Sequence, residues 1–375
     1  MKSILIFSDW FTPANKAGGP IQSIRNLALQ LSNTYKIFIY SSAYDLKSIE
    51  VLPNIELNSW TTFEGNIKVY YQSESIYSKL AVIEFIKPDF IYLNSIFSKE
   101  FTLDILRLNW TSAFPNRIIL APRGMLKPSA LNKKYFKKLI FLNWAKATGL
   151  YKGITFHATN DQERAEIIHV FKRAKVKVID NLPPAIQRNK NSNAKEPGSL
   201  KMICVGRVHP IKNIHFLLEL LTHVKSNIQL TILGIVEDLN YKSKCDHILL
   251  TLLSNVQVNF VSEKPHDEVE VLIGQHHLMA LPTLGENYGH AIIESLSVGR
   301  PVLISDQTPW KNLKQYQAGW ELPLSDKQAW IDAIEEASSW DQAAFDRHCQ
   351  GALDYARAHT NVEELVEKYK EMFGG

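Results

Sequence analysis

Residues Leu278–Ser305 have the sequence LMALPTLGENYGHAIIESLSVGRPVLIS, and the fold class can be predicted from this segment. The apolar run Leu278–Leu281 predicts a buried strand, a loop follows it, and Gly289 opens an amphipathic helix. The helix ends at Gly299, because glycine is favoured just past a helix C-terminus, and Pro301 begins a second apolar run. Strand, helix and strand in this order predict a parallel β-sheet that is covered by helices.

The same alternation extends through the chain on both sides. Strands are predicted at Ser3–Ser8, Lys36–Tyr40, Ile67–Tyr71, Phe90–Leu93, Ile118–Ala121, Lys201–Val205, Ile228–Leu233, Val256–Phe260, Leu278–Leu281 and Pro301–Ser305. Helical patterns lie at Ile21–Leu31, Lys79–Ile86, Ile214–His223, His266–Ile273, His290–Val298 and throughout Asp326–Phe373. The sequence therefore predicts two Rossmann-like, doubly wound parallel-sheet domains with a ligand cleft between them.

The domain boundary is predicted where the alternation stops. Residues 187–200 (QRNKNSNAKEPGSL) are polar and include a proline and a glycine, which is typical of a linker. This places an N-terminal domain at 1–186 and a C-terminal domain at 201–355.

Length and composition indicate an ordinary folded protein. The chain has 375 residues, of which 45% are hydrophobic and 21% charged, which excludes a disordered chain, a coiled coil and a collagen-like repeat. No apolar run approaches the roughly 20 residues of a membrane span. The three cysteines are scattered and lack metal-ligand spacing, so we predict neither a disulfide framework nor a zinc site, and a cytoplasmic location.

Two glutamates lie on either side of the N-terminus of the helix that begins at Gly289. Glu286 lies in the loop before the helix and Glu294 lies within it. A helix N-terminus offers free N–H groups and a positive dipole to a phosphate, and nearby carboxylates suit the hydroxyl groups of a sugar and a ribose. The alternative interpretation is an acid that favours the helix dipole and a second, solvated glutamate.

Two further segments suit phosphate binding. In CVGRVHPIKN (204–213), Gly206 allows a sharp turn, and Arg207 and Lys212 can clamp a diphosphate at the end of a strand. The adjacent Gly18 and Gly19 precede the first helix and allow close approach to a phosphate. A solvated basic turn and an ordinary glycine loop are the respective alternatives.

Together, the glycine pair after the first strand, G-R-x4-K at 206–212 and E-x7-E at 286–294 resemble retaining family 4 glycosyltransferases of the GT-B fold. APRGML (121–126) and HATNDQE (157–163) are similar to members that build bacterial capsule, exopolysaccharide or O-antigen chains. The resemblance implies a hexosyl transfer from a nucleotide sugar, with UDP favoured over GDP, to a glycan or polyprenyl-diphosphate-linked acceptor with retained configuration. It also implies that a C-terminal helix at 356–375 packs back on the N-terminal domain.

The resemblance also assigns roles to individual residues. It implies that Glu286 binds the donor sugar and acts as a catalytic residue, and that Glu294 holds the ribose. The other donor-binding residues that it implies are Gly18, Gly19, Arg207, Lys212, Asn287, Tyr288 and Gly289. Many members have a histidine where this chain has Arg123, so Arg123 and His157 are the candidates for that catalytic position.

We predict neither a metal ion nor a cofactor beyond the nucleotide sugar, because the sequence lacks metal-binding motifs. The sequence has no D-x-D pair and no HExxH motif, which are the spacings expected for common metal-dependent enzymes. We therefore expect a metal-independent enzyme.

Residues 105–160 contain no Asp or Glu but ten Lys and Arg, interleaved with aromatic residues. Lys133, Lys134, Lys137 and Lys138 recur at helical spacing and predict a basic amphipathic helix. Such a helix suits an anionic membrane surface, here the inner face of the cytoplasmic membrane, or a lipid-linked acceptor. A solvated basic face and, with less support, a nucleic-acid patch are the alternatives; we predict no nucleic-acid partner, because no binding motif accompanies the charge.

The sequence thus predicts a retaining glycosyltransferase of bacterial surface polysaccharide synthesis. The alternatives are a nucleotide-sugar 2-epimerase on the same fold and a non-catalytic nucleotide- or glycan-binding subunit.

Overall fold

The computed structural model describes residues 1–74, 78–112, 117–132, 135–184, 186 and 193–374. The chain folds into two compact units, of which the first comprises Met1–Leu182 and Val362–Gly375 and the second comprises Pro183–Asn361. Each unit is a parallel β-sheet with helices, which confirms the predicted fold class.

The first unit contains an eight-stranded sheet in the order β3-β4-β2-β1-β5-β6-β7-β8. Its strands are β1 (Ser3–Ser8), β2 (Lys36–Ser42), β3 (Trp60–Glu64), β4 (Ile67–Gln72), β5 (Phe90–Asn94), β6 (Arg117–Ala121), β7 (Thr155–Ala158) and β8 (Lys175–Val178). All neighbouring strands pair in parallel except β3 and β4, which are antiparallel. The order of pairing reverses at β1, whose two neighbours are β2 and β5.

Helices cover both faces of this sheet. They are α1 (Gly19–Leu31), α2 (Lys79–Ile86), α3 (Asp104–Ser112), α4 (Pro128–Asn132), α5 (Tyr135–Thr148) and α6 (Asp161–Val170), with a π-helical turn at Lys99–Leu103. Alternate residues of β1 enter two different apolar cores: Ile4 and Ile6 enter one, and Leu5 and Phe7 enter the other. Burial on both faces explains why the strand is an unbroken apolar run.

The second unit contains a six-stranded sheet in the order β11-β10-β9-β12-β13-β14. Its strands are β9 (Ser199–Val205), β10 (Asn227–Leu233), β11 (Val256–Val261), β12 (Leu278–Leu281), β13 (Val302–Ser305) and β14 (Gly319–Leu322). Its helices are α7 (Ile214–Leu221), α8 (Leu239–Leu249), α9 (His266–Gly274), α10 (His290–Ser297), α11 (Lys327–Ser339) and α12 (Gln342–His359). Short 3₁₀ turns lie at Pro210–Lys212 and Leu313–Tyr316. Every strand pair is parallel, and β9 and β12 are adjacent at the centre.

The last helix, α13 (Val362–Met372), belongs to the first unit. Tyr369 and Phe373 are 1% and 0% exposed in the core that also contains Ile4 and Ile6. The Phe373 ring packs on Phe90, with the ring centroids 5.5 Å apart. The first unit is therefore built from two separate parts of the sequence.

The unit boundaries differ from the predicted ones. The second unit begins at Pro183, and residues 193–200, predicted as linker, are already part of it. Lys195 anchors them: it is 4% exposed, and its ammonium donates to the carbonyls of Ser338 at 2.8 Å and Trp340 at 3.0 Å. Residues 356–361, predicted as part of the returning helix, belong to the second unit, because α12 continues to His359 with Ala356 buried in that unit's core.

Candidate functional site

The loop after β9 carries the two cations predicted to bind a diphosphate. Gly206 directly follows the strand with a φ of +151°, and Arg207 comes next at the carboxyl edge of the sheet. The Arg207 side chain is 42% exposed and pairs with Glu237 in the loop after β10. Lys212 ends the short 3₁₀ turn and is more deeply placed, at 17% exposure. Both cations thus lie at the edge where parallel sheets bind ligands.

Lys212 and Glu286 form an ion pair, with 2.6 Å between Nζ and Oε1. Glu286 belongs to the loop after β12, which is fixed to the Lys212 turn because Thr283 Oγ1 and the Leu284 amide both donate to the Ile211 carbonyl, at 3.0 and 2.8 Å. The fold thus joins two residues that the sequence analysis took from separate motifs. A diphosphate bound here would compete for the Lys212 ammonium and leave the carboxylate to accept hydrogen bonds from sugar hydroxyls.

Gly289 caps the N-terminus of α10 with a φ of +82°. A Cβ at this position would lie 2.9 Å from Ile292 Cδ1 and 3.3 Å from Trp310 Nε1, so the site has no room for a side chain. The Trp310 indole donates to the Tyr288 carbonyl at 2.6 Å. Tyr288 is 8% exposed and packs against the Trp310 ring, so its ring belongs to the core, while the preceding Asn287 is half-buried.

Glu294 is a buried carboxylate, 4% exposed, inside α10. This contradicts the alternative of a solvated glutamate. Its Oε1 lies 4.0 Å from Nδ1 of His266 at the start of α9, and His266 Nε2 lies 3.3 Å from Glu270 Oε1. A buried carboxylate requires polar or charged neighbours, and the imidazole supplies one. The sequence analysis did not single out His266; its only signal was a histidine four residues before a glutamate at a helix start.

In the first unit, Gly18 and Gly19 lie at the start of α1, with Pro20 as its second residue. Gly18 has a φ of +63° and Gly19 is the first helical residue. The Pro20 carbonyl accepts a hydrogen bond of 3.3 Å from Nδ2 of Asn94, the last residue of β5. The predicted phosphate loop is thus held at the carboxyl edge where the strand order reverses between β1 and β5.

Arg123 is held at the same edge by three side chains. Its Nε donates to Asn94 Oδ1 at 2.8 Å, one terminal nitrogen donates to Asn181 Oδ1, and the other donates to the Tyr92 hydroxyl at 3.0 Å. The residue has a φ of +56°, an uncommon conformation that the surrounding bonds maintain. A guanidinium has five N–H groups, so three such bonds fix its plane and leave two donors for a ligand.

His157 does not line a ligand site. It is 0% exposed; Nδ1 bonds to the Tyr92 hydroxyl at 2.6 Å, and Nε2 bonds to the Ile179 carbonyl at 2.8 Å. A carbonyl only accepts, so Nε2 carries the proton and Nδ1 accepts from Tyr92. Burial, reinforced by the nearby Arg123, lowers the pKa of His157 to about 3. This contradicts its candidacy as a catalytic residue. The neutral His157 accepts a hydrogen bond from the Tyr92 hydroxyl, and that hydroxyl in turn accepts one from Arg123.

The four lysines of the predicted basic helix differ in their positions in the structure. Lys133 and Lys134 lie outside the described residues. Lys137 is exposed on α5. Lys138 turns toward the protein, because its ammonium donates to the Ala130 carbonyl at 2.7 Å and lies 5.2 Å from the centre of the Phe97 ring. Its predicted contact with a membrane or acceptor therefore conflicts with its position on the inner side of the helix.

Within the described ranges, no cluster of three or more His, Cys, Asp or Glu side chains could bind a metal ion. None of the helices in that part of the chain is both long and apolar enough to cross a membrane.

The sequence of the second unit matches a known protein family. Residues 185–345 match the family model of glycosyl transferases group 1, and this range includes Arg207, Lys212, Glu286 and Glu294. No curated protein is a significant match to the sequence.

Solved structures match the chain over nearly its whole length. Sucrose-phosphate synthase from Thermosynechococcus elongatus has a TM-score of 0.72 and 17% identity, covering 100% of this chain and 98% of that one. Anabaena Alr3699/HepE in complex with UDP and glucose has a TM-score of 0.70 and 16% identity, with 99% of each chain covered. WaaG, a glycosyltransferase involved in lipopolysaccharide biosynthesis, has a TM-score of 0.66 and 13% identity over 99% of this chain and 100% of its own. The chain therefore has the GT-B fold seen in glycosyltransferases, and its second unit matches the family model of glycosyl transferases group 1.

Proposed function

We propose that this protein is a retaining glycosyltransferase that moves a sugar from a nucleotide-diphosphate sugar, with UDP as the preferred nucleotide, to a glycan acceptor. The observation that carries the proposal is the ion pair between Lys212 and Glu286 at the carboxyl edge of the second sheet. A cation able to bind a diphosphate thus lies beside a carboxylate able to accept hydrogen bonds from a sugar, within the range that matches the group 1 glycosyl transferase model.

The donor subsites follow from the chemistry of the residues in the second unit. Arg207 and Lys212 neutralise the diphosphate, the N-terminus of α10 contributes its positive helix dipole, and the buried Glu294 accepts hydrogen bonds from the ribose hydroxyls. The complexes of Anabaena Alr3699/HepE with UDP and with UDP-glucose support a uridine donor. Because two fixed cations can stabilise the charge of the leaving diphosphate, the proposal requires no metal ion.

In the proposed reaction, the bond between the anomeric carbon and the diphosphate oxygen breaks, and a bond from the acceptor oxygen forms on the same face of the sugar. The acceptor proton passes to the departing phosphate oxygen, so no side chain has to act as the base. From the first unit we assign Arg123 the role that a histidine has in many family members, because its guanidinium is fixed and keeps two donors for an anion.

We further propose a lipid-linked acceptor in the synthesis of a bacterial surface polysaccharide such as capsule, exopolysaccharide or O-antigen, at the inner face of the cytoplasmic membrane. The similarity to WaaG, which is involved in lipopolysaccharide biosynthesis, supports this pathway class. The acid-free basic stretch 105–160 suits a polyprenyl diphosphate by its charge.

The first experiment is a thermal-shift panel with UDP, GDP, ADP, CMP and dTDP. A ligand at 100 times its dissociation constant stabilises the protein by about 2.7 kcal/mol. We expect UDP to shift the wild type and to have little effect on the R207A/K212A double variant. The matched control, R357A/K327A, removes two cations of the same unit that are 43% and 60% exposed, and it should respond as the wild type does.

The second experiment measures turnover with UDP-sugars. E294A should weaken UDP binding, and E286A should chiefly lower kcat, since Glu286 contacts the reacting sugar. Full activity of both variants would refute the site. Consumption of UDP-sugar without an acceptor would favour the 2-epimerase, and UDP binding without any turnover would favour the non-catalytic subunit.

A further inference from the structure

Helix α5 presents an apolar stripe to solvent. Phe136 is 77% exposed, Ile140 69% and Trp144 42%, at intervals of four residues along one face, and Leu139 beside them is 40% exposed. Large apolar side chains are common singly on a protein surface, but four on one helical face form a patch that indicates an interaction site.

The stripe is distinct from the face that holds the helix to the protein. Leu142 and Ala145, on the opposite side, are 4% and 1% exposed in a core of the first unit. Phe141 packs edge-to-face on Phe97, with the ring centroids 5.9 Å apart. Residues outside the stripe thus anchor the helix, and the Trp144 ring of the stripe packs on Phe141, with the ring centroids 6.0 Å apart.

Positive charge borders the stripe on both sides. At 100° per residue, Lys137 lies beside Trp144 at one margin, and Lys146 lies beside Leu139 at the other; both lysines are exposed. Exposed Lys152 follows the end of the helix, and residues 105–160 contain no acidic side chain to oppose these charges. An apolar centre that includes a tryptophan and has lysine margins is the pattern of a helix lying in the surface of an anionic bilayer.

We infer that α5 docks on an anionic phospholipid surface, with Phe136, Ile140 and Trp144 inserted among the acyl chains and Lys137 and Lys146 at the headgroups. The absence of acid from residues 105–160 favours anionic lipid over a protein partner of mixed charge. The inference deepens the proposed function, on which its purpose rests: a docked enzyme meets a lipid-linked acceptor in the plane of the membrane.

The test is co-sedimentation of the whole chain with phosphatidylglycerol vesicles and with phosphatidylcholine vesicles at two salt concentrations. We expect binding to phosphatidylglycerol that weakens with salt, and little binding to phosphatidylcholine. F136S/I140S should reduce the partition coefficient at least tenfold. K137Q/K146Q should reduce it by about fivefold for each lysine.

Two matched controls separate the stripe from general surface effects. L239S/L250S removes apolar side chains of the second unit that are 79% and 86% exposed, and K175Q/K177Q removes two exposed lysines of β8. Both should bind as the wild type does. Lack of binding to phosphatidylglycerol, or wild-type binding by F136S/I140S with retained circular dichroism, would overturn the inference. So would a dimer, detected by light scattering, that this variant abolishes, since the stripe would then bind a second copy.

Nucleotide binding separates the two proposals. If UDP produces no thermal shift but the vesicle results hold, the proposed function fails and the docking surface stands. If UDP stabilises wild type and F136S/I140S equally and neither protein binds vesicles, only the docking inference fails.

Discussion

At the residue scale, the sequence indicated a possible role for Arg123 but not the side chains that hold it in place. The motif has a cation where many members of the family that it resembles have a histidine, so a candidate could be named. Its partners Asn94 and Asn181 lie 29 and 58 positions away, and nothing in the local pattern joins them to Arg123. The ion pair of Lys212 and Glu286 could not be predicted for the same reason. The two residues are distant in sequence and meet only because the loops after β9 and β12 lie at the same edge of the sheet.

Replacing Arg123 by lysine should lower kcat at least tenfold. Lysine keeps the charge but lacks the planar fork that bonds to Asn94, Asn181 and Tyr92 at once, so the cation is no longer fixed. Steady-state kinetics with UDP-sugar and acceptor check this, with R164K, a 53% exposed arginine of the same unit, as the control. An R123K enzyme with undiminished kcat would remove Arg123 from the mechanism.

His157 should make the first unit sensitive to acid. Its pKa is about 3 in the folded state, where burial disfavours the charged ring, against 6.5 ordinarily. The unfolded chain therefore binds more protons, so the stabilisation is complete above about pH 6.5 and is lost as the pH falls toward 3. Between pH 6.5 and 5.5 the wild type should lose about 1 kcal/mol more than H157Q.

Urea unfolding of both proteins at the two pH values measures this difference. Other histidines, such as His277, whose pKa burial lowers to about 4, contribute the same pH dependence to each protein and cancel. Equal pH slopes for wild type and H157Q would contradict the assignment of His157 as a neutral buried residue.

At the element scale, strands with a clear apolar pattern were predicted, and β3, β7, β8 and β14 were missed. β7 is buried along most of its length, but it has only four residues and one of them is His157. β1 and β12 match their predicted bounds, because an unbroken apolar run is visible without knowledge of the neighbouring strands. β3 is a half-exposed antiparallel edge strand, and β8 alternates lysine with valine, so neither is a continuous apolar run. β14 begins with a glycine and is only four residues long.

Replacing Gly289 by alanine should damage the α10 terminus. The positive φ alone costs about 1–2 kcal/mol for a residue with a Cβ, and the contact with Ile292 at 2.9 Å adds to that cost. G153A is the matched control, because Gly153 has a φ of +83° and no atom within 4 Å of an added Cβ.

Thermal unfolding and UDP affinity, measured on both variants, separate the two effects. We expect G289A to be the less stable protein and to bind UDP more weakly than the wild type. G153A should lose stability but keep its UDP affinity. Equal UDP affinity in all three proteins would show that the α10 terminus does not contact the nucleotide.

At the scale of the whole molecule, strand–helix alternation was sufficient to predict two parallel-sheet units. The unit on which the last helix packs could not be predicted from this alternation. The pattern of Val362–Met372 shows an apolar face but not the surface that it covers, so its return to the first unit was expected only from the family resemblance. The boundary near Lys195 was misplaced because a buried lysine bonded to carbonyls has the same sequence signature as a solvated linker lysine.

Replacing Phe373 by alanine should destabilise the first unit alone, by about 3–5 kcal/mol. Its ring is fully buried against Tyr35, Phe90 and Tyr92. Hydrogen exchange followed by mass spectrometry should show lost protection in β1 and β5 and unchanged protection in β9 and β10. F85A, which truncates a 78% exposed phenylalanine, is the control; equal loss in both units would contradict the division.

The return of α13 also has a consequence for biosynthesis. A ribosome must synthesise the entire second unit before Tyr369 and Phe373 emerge. These two residues complete the core of the first unit that contains Ile4 and Ile6. Until then the nascent chain exposes an apolar surface of the kind that chaperones and proteases recognise. Premature termination anywhere before Val362 would thus leave a product that is a target for degradation, even if its second unit had folded.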